Sequence, residues 1–407
     1  SSAFNGCTGL TSITIPDSVT EICDSAFKGC TGLTSITVPD SVTEIGSSAF
    51  NGCTRLNSYY GKYASEDNRY LVVDGKLSAF APAGLTEYNI PDCVTEIGDY
   101  AFADCKGLTI ITIPDSVTKI GRSAFSHCAG LISITIPDSV TEIRGFAFEG
   151  CTGLTSITVP DSVTEICDSA FEGCTGLTSV TIPDSVTTIG SSAFNGCTGL
   201  TSITIPDSVT EIGWSAFIGC TGLTSITIPD SVTSIDRGAF ASCTSLTGIY
   251  SKFASEDNRC LIIDSILIAF AQAGLTEYTI PDSVTGIGAL AFKGCTGLTS
   301  ITISDSVTEI GESAFSDCSG LTSATIGDSV IEIGSDAFQN CTGLTEVYCK
   351  PTTSPILGER VFRNIKSSPQ LYVPCSSVWE YNDIIDWRDE ASNWCEYFSQ
   401  IEGYDFE

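Results

Sequence analysis

The sequence predicts a repeat solenoid built from parallel β-strands and short helical turns, and three observations carry that prediction. The dipeptide Ala-Phe, followed three residues after its Phe by Cys, returns thirteen times, from Phe4 and Cys7 to Phe338 and Cys341. Successive copies lie 23 residues apart, except from Phe50 to Phe102 and from Phe240 to Phe292, where the gap is 52. Every copy also repeats one alternation of apolar and polar residues. A unit this short cannot bury its own apolar face, so neighbouring units must stack and share a core.

The unit from Leu200 to Gly222 shows how each element arises. Ile203 and Ile205 alternate with Ser202 and Thr204, a period of two that predicts a short strand with one face inward. Pro206 ends that strand, and Pro206-Asp207-Ser208 has the chemistry of a turn. Val209 to Ile212 predicts a second, shorter strand. Gly213 breaks it, Ser215-Ala216-Phe217 opens a helical turn, and Gly219 with Cys220 leads to Leu223. Leu, Ile, Ile, Val, Ile, Ala, Phe and Cys are the inward positions, and stacking gives a curved, right-handed coil.

The Leu-x-x-Ile-x-Ile-Pro run, the Ala-Phe-x-x-Cys ending and the 23-residue period together resemble the BspA-like leucine-rich repeat family over residues 1 to 344. The resemblance implies a bacterial or protist surface protein without enzymatic activity, several members being adhesins for host matrix proteins. Ser304 and Gly327 depart from it where Pro is usual, and Ala324 replaces the first strand Ile.

Composition narrows the function classes. Asp and Glu number 49 against 18 Lys and Arg, a formal net charge of -31 at pH 7. Such a charge repels nucleic acid and anionic membranes, and no basic patch offsets it. Apolar runs such as Tyr70 to Val73, Cys260 to Ile263 and the longer Ile266 to Ala271 fall far short of the roughly 20 residues that span a bilayer. The chain opens inside a repeat and contains no Met, so it reads as a segment of a longer precursor.

Two long variant repeats, about 57–84 and 247–274, interrupt the array. Lys62-Tyr-Ala-Ser-Glu-Asp-Asn-Arg-Tyr-Leu-Val-Val-Asp74 returns 190 residues later as Lys252-Phe-Ala-Ser-Glu-Asp-Asn-Arg-Cys-Leu-Ile-Ile-Asp264. Asp74-Gly75 between apolar runs predicts a hairpin, and Asp264-Ser265 a weaker turn at the same place. These segments are expected to project Tyr63, Glu66, Asp67, Asn68 and Arg69, matched by Phe253, Glu256, Asp257, Asn258 and Arg259, as ligand-binding residues. Seven coil steps of roughly 4.8 Å separate the copies, about 30 to 35 Å with curvature, a span that one extended ligand bridges with gain in avidity.

Residues 345–407 predict a carboxy-terminal cap of mixed strand and helix: strands near Glu346 to Pro351 and Gln370 to Pro374, then a helix placing Val378, Tyr381 and Ile384 or Ile385 on one face. The ending near Ile401 to Phe406 resembles the caps of gut Bacteroidales members of the family.

Other features read as architecture. Thirteen cysteines occupy one column, where parallel side chains are poorly placed for bridges and pack as small hydrophobes. Cys349, Cys375 and Cys395 leave a cap disulfide open. His127 has no recurring Ser or Cys beside it, which argues against a catalytic triad. Columns of Asp (Asp17, Asp40, Asp92 and onward) and of Glu form an acidic stripe with no calcium-loop motif. The expected function is therefore a cell-surface or secreted binding scaffold of adhesin type. Its ligand is a protein or glycan, for which host extracellular matrix is the candidate source. It works as a monomer, without cofactor or metal. The alternative is a structural surface-coat protein acting by self-association. An enzyme would need convergent titratable residues in a pocket, and the sequence offers columns instead.

Overall fold

The structure, a computed structural model, describes residues 2–365, 369–382, 394–398 and 400–406. The chain divides into two compact units, residues 1–216 with 231–234, and residues 217–230 with 235–407.

In the first unit, one coil shows the rule. Strand Ser156–Thr158 runs parallel to Ser179–Thr181 with Ile157 beside Val180, because a fixed period brings each residue next to its own counterpart. Ser156 and Thr158 face solvent while Ile157 is buried. The Val163 N–H closes the turn on the Pro160 carbonyl at 3.0 Å, and Glu165–Ile166 then pairs with Thr188–Ile189. Leu154, Ile157, Val159, Val163, Ile166, Ala170, Phe171 and Cys174 are all at most 3% exposed, so the inward set predicted from the alternation is the core.

The expected helical turns are instead chains of tight β-turns. Ala170, Glu172 and Cys174 donate their N–H groups three residues back, to Cys167, Ser169 and Phe171, at 3.2 Å each. The N–H groups between them, of Ser169, Phe171 and Gly173, donate to Ser191, Ala193 and Asn195 in the next coil at 2.7 to 2.9 Å. Ser169 and Gly173 take left-handed backbone angles, φ 54° and 69°. That conformation turns every second N–H along the solenoid axis, where an α-helix would keep it for its own carbonyls. No helix belongs to a repeat coil among the described residues.

Phe171 stacks between Phe148 and Phe194 at 5.6 and 5.4 Å between centroids. Burying each ring contributes roughly 1.5 to 3 kcal/mol. The Cys174 thiol donates to the Phe148 carbonyl at 3.1 Å, and the same bond recurs from Cys151 to Phe125 and from Cys197 to Phe171. Cys7, in the first coil of the chain, is the one exposed member of the cysteine column.

The second unit repeats this scheme. Glu277–Thr279, Ser300–Thr302, Ser323–Ile326, Glu346–Cys349, Gln370–Pro374 and Gln400–Tyr404 form one parallel row. The turns survive without proline, since Val307 and Val330 still donate to the carbonyls of Ser304 and Gly327 at 3.1 and 3.3 Å. Stacking continues past Leu344, with Phe362 lying 5.2 Å from Phe338. Beyond it come Cys375–Ser377, a single 3₁₀ turn, and the helices Val378–Asn382 and Trp394–Tyr397. Tyr381 is buried as the helical spacing requires, and its hydroxyl donates to the Pro351 carbonyl at 2.7 Å. Ile384 and Ile385, one of which was expected on the same helix face, lie outside the described residues. The strand Gln400–Tyr404 was not anticipated.

Candidate functional site: the two long repeats

Each long repeat contains an antiparallel hairpin that rejoins the array. In the first, Tyr70–Val73 pairs with Lys76–Phe80, and Lys76–Phe80 then runs parallel to Glu96–Ile97. Asp74 and Gly75 form its turn with φ of 51° and 81°, the two positive angles a primed turn needs. In the second, Cys260–Ile263 pairs with Ile266–Phe270, and Asp264 and Ser265 adopt 50° and 65°. Both predicted hairpins form.

The segment leading into each hairpin is a self-bonded loop with one wiring diagram in both copies. Ser65 donates its hydroxyl to Asp67 Oδ1 at 2.6 Å, and the same oxygen accepts the Arg69 N–H at 3.0 Å. Ser255, Asp257 and Arg259 give the same two distances. Asn68 and Asn258 both sit at φ 58°, a left-handed position that Asn tolerates better than most residues. Arg69 Nη1 donates to the carbonyls of Ala81 and Ala83 at 3.4 and 3.0 Å, and Arg259 Nη1 to those of Ala271 and Ala273 at 3.0 and 2.9 Å.

These bonds sort the ten candidate residues. Arg69, Asn68 and Tyr63 are half-buried, as are Arg259, Asn258 and Phe253. Tyr63 points its hydroxyl at the Val42 carbonyl, 3.0 Å away, with the Lys62 ammonium 4.9 Å from its ring centroid. Glu66, Asp67, Glu256 and Asp257 are exposed. Asp67 and Asp257 serve the loop. Glu66 and Glu256 make no hydrogen bond or ion pair with any described residue. The surface offered by each loop is thus more acidic and less aromatic than composition implied.

Sequence reasoning missed the brace on each loop. Tyr88 donates its hydroxyl to Asp67 Oδ2 at 2.8 Å, and Tyr278 does so to Asp257 Oδ2 at 3.0 Å. Burial works against the Asp67 carboxylate, but the Ser65 hydroxyl, the Arg69 N–H and the Tyr88 hydroxyl together hold its pKa below the ordinary 3.8. Asp257 is lowered in the same way. Burial, then the neighbouring carboxylate, pushes Tyr88 up. A signal existed: Glu87-Tyr88 and Glu277-Tyr278 stand where ordinary coils carry Ser-Ile, only in the coils following the long repeats. The exchange of Tyr70 for Cys260 has a local account as well. Tyr70 Oη lies 3.4 Å from Cys93 Sγ in the first copy, whereas Cys260 Sγ meets Tyr278 Oη at 3.2 Å in the second.

His127 is exposed and lines a shallow groove with Tyr100, Asp104, Arg122 and Glu149. Asp161, Asp184 and Asp207 of the acidic column face solvent, and no group of three or more metal-ligating residues converges among the described residues. No helix among them is long and apolar enough to cross a membrane.

A parallel solenoid with this repeat chemistry defines a leucine-rich repeat protein of stacked coils. The chain belongs to the family described as the BspA type leucine rich repeat region, which it matches over residues 1–64, 76–197, 164–256 and 267–381. It is similar to a leucine rich cell surface protein from Faecalibacterium prausnitzii A2-165, with 30% identity, 84% of this chain and 93% of that chain covered, and a TM-score of 0.58. It is also similar to a leucine-rich repeat protein from Bacteroides ovatus ATCC 8483, at 26% identity, with 98% and 93% covered and a TM-score of 0.53. No curated protein sequence matches it. The family match skips 65–75 and 257–266, which hold part of each loop and the first strand and turn of each hairpin.

Proposed function

We propose that the chain is a non-enzymatic binding scaffold displayed at a bacterial surface, of adhesin type, in which the two long repeats carry the ligand-binding residues. The family match and the named surface location of the Faecalibacterium protein support the scaffold and its location. The observation that carries the site is the pair Glu66 and Glu256. In a motif of thirteen residues, nine are identical between the copies, and Ser65, Asp67, Asn68 and Arg69 are accounted for by the wiring of the loop. Glu66 has no such task, yet the second copy keeps it.

Tyr63, Asn68 and Arg69, with Phe253, Asn258 and Arg259, shape the two loops, and Glu66 with Asp67, and Glu256 with Asp257, meet the ligand. A carboxylate pair on a rigid tip suits a basic protein surface or the hydroxyls of a glycan, with host extracellular matrix as the candidate source. Residues 345–407 act as the cap of the array, and the protein works as a monomer. A screen of the intact chain against immobilised matrix proteins and glycans tests the proposal. Saturable binding to one class supports it, and absence of saturable binding to every probe contradicts it.

A further inference from the structure

The outer face of the strand row in the second unit changes character at its end. Ser300 with Thr302 and Ser323 with Thr325 are the small polar pairs of ordinary coils, but the next strands present Glu346 with Tyr348, Gln370 with Tyr372, and Gln400 with Glu402 and Tyr404. Three rings meet there. Tyr348 and Tyr372 stack at 4.6 Å and 12°, and Tyr404 stands across them at 5.4 and 5.8 Å with angles of 72° and 67°. Tyr404 is 43% exposed, and Phe406 adds a fourth ring 5.0 Å from it.

Polar groups frame these rings in a fixed order. Tyr372 donates to Gln370 Oε1 at 2.7 Å, Gln370 Nε2 donates to Gln400 Oε1 at 3.2 Å, and Tyr348 donates to Glu346 Oε2 at 3.4 Å. Glu402 is exposed beside Tyr372 in the strand register. Lys350, the cation at the end of the Glu346 strand, is engaged with Asp305 at 3.2 Å.

We propose that this corner, formed by Tyr348, Tyr372 and Tyr404 with Glu346, Gln370 and Glu402, is a binding site for a neutral polysaccharide. A pyranose ring offers an apolar C–H face to an aromatic ring and equatorial hydroxyls to its rim. The exposed Tyr404 ring and the half-buried Tyr348 and Tyr372, bordered by amide and carboxylate oxygens, match both surfaces. The sign of the charge selects the class: Glu346, Glu402 and Asp405 repel sulfated or sialylated chains, and among the described residues no free cation in the corner compensates. The site lies in the cap and does not rest on the reading of the long repeats.

Affinity electrophoresis of the full chain tests it, with gels containing hydroxyethylcellulose, laminarin, starch, mannan or dextran sulfate. The wild type is expected to be retarded by at least one neutral polymer and not by dextran sulfate. Tyr404→Ala should weaken that retardation at least about tenfold in apparent Kd. Glu402→Lys, at an exposed position outside the ring packing, should weaken it with an unchanged melting temperature, and decides the matter if Tyr404→Ala loosens the terminal strand. Glu165→Lys, at an exposed strand position of an ordinary coil, should leave it intact. Free migration of the wild type in every neutral gel, preference for dextran sulfate, or undiminished retardation of Glu402→Lys would overturn the proposal.

Discussion

Tyr88 and Asp67 are 21 residues apart, yet the phenol hydroxyl donates to the carboxylate at 2.8 Å, and Tyr278 repeats the bond with Asp257 at 3.0 Å. Each bond ties a projecting loop to the coil that follows it. Tyr88→Phe should cost roughly 0.5 to 1.5 kcal/mol in urea unfolding, the range of one net hydrogen bond. The effect should depend on pH with a definite sign. The folded pKa of Asp67 lies below its ordinary 3.8, so the contribution is present above that value and lost as pH falls through the folded pKa. The gap between wild type and Tyr88→Phe should therefore be full at pH 6 and shrink below pH 3.8. A gap that widens on acidification would show that the bond does not favour the carboxylate.

Arg69 and Arg259 fasten their loops through backbone carbonyls, including that of the buried Ala81. Replacing either by Ala strands those carbonyls and should destabilise by about 1 to 3 kcal/mol. Glu66→Gln, at an exposed residue with no partner among the described residues, should stay within about 0.5 kcal/mol of the wild type. Thermal unfolding of the three variants checks the contrast, and equal stability of all three would remove Arg69 and Arg259 from the framework.

Ser265 holds φ at 65° where the first hairpin has Gly75 at 81°. A side chain in that region costs about 1 to 2 kcal/mol that glycine avoids. Ser265→Gly should therefore stabilise the second hairpin by about 1 kcal/mol, read as slower hydrogen exchange at the amides of residues 260–270. Faster exchange would mean that the Ser265 conformation is unstrained.

Twelve of the thirteen ladder cysteines are buried, and burial pushes Cys174 and Cys243 up to about 12. An aromatic disulfide reagent at pH 8 should modify Cys7, Cys93 and Cys375 first, since these are exposed. The twelve buried ladder thiols should react only after unfolding, without added reductant. Ladder thiols that remain unreactive in the unfolded chain would indicate bridges.

Much of this architecture was legible because a strict period leaves no freedom in register: Ile157 must meet Val180, and Phe171 must meet Phe194. The turns were less legible. Ser169 and Gly173 reverse the backbone hand at spacings that mimic a helical turn, and only the inter-coil bonds reveal the difference. The coil carrying Phe362 escaped the pattern because Val361 and Ile365 replace its Ala and Cys. In the long repeats, sequence found the loop residues, but Arg beside Tyr reads alike on a free surface and in a bracket. Which one it is depends on the Ala81 and Ala83 carbonyls, folded back from the far side of a hairpin.

The central claim is that the twin loops, through Glu66 and Glu256, hold the ligand. Biolayer interferometry with immobilised collagen, fibronectin, laminin and mucin glycans measures it, comparing the wild type with Glu66→Lys, Glu256→Lys and the double variant. The account predicts saturable wild-type binding to at least one probe, a loss of at least about tenfold in Kd in the double variant, and a smaller loss in each single variant. The melting temperatures should match. Undiminished binding by a folded double variant would contradict it.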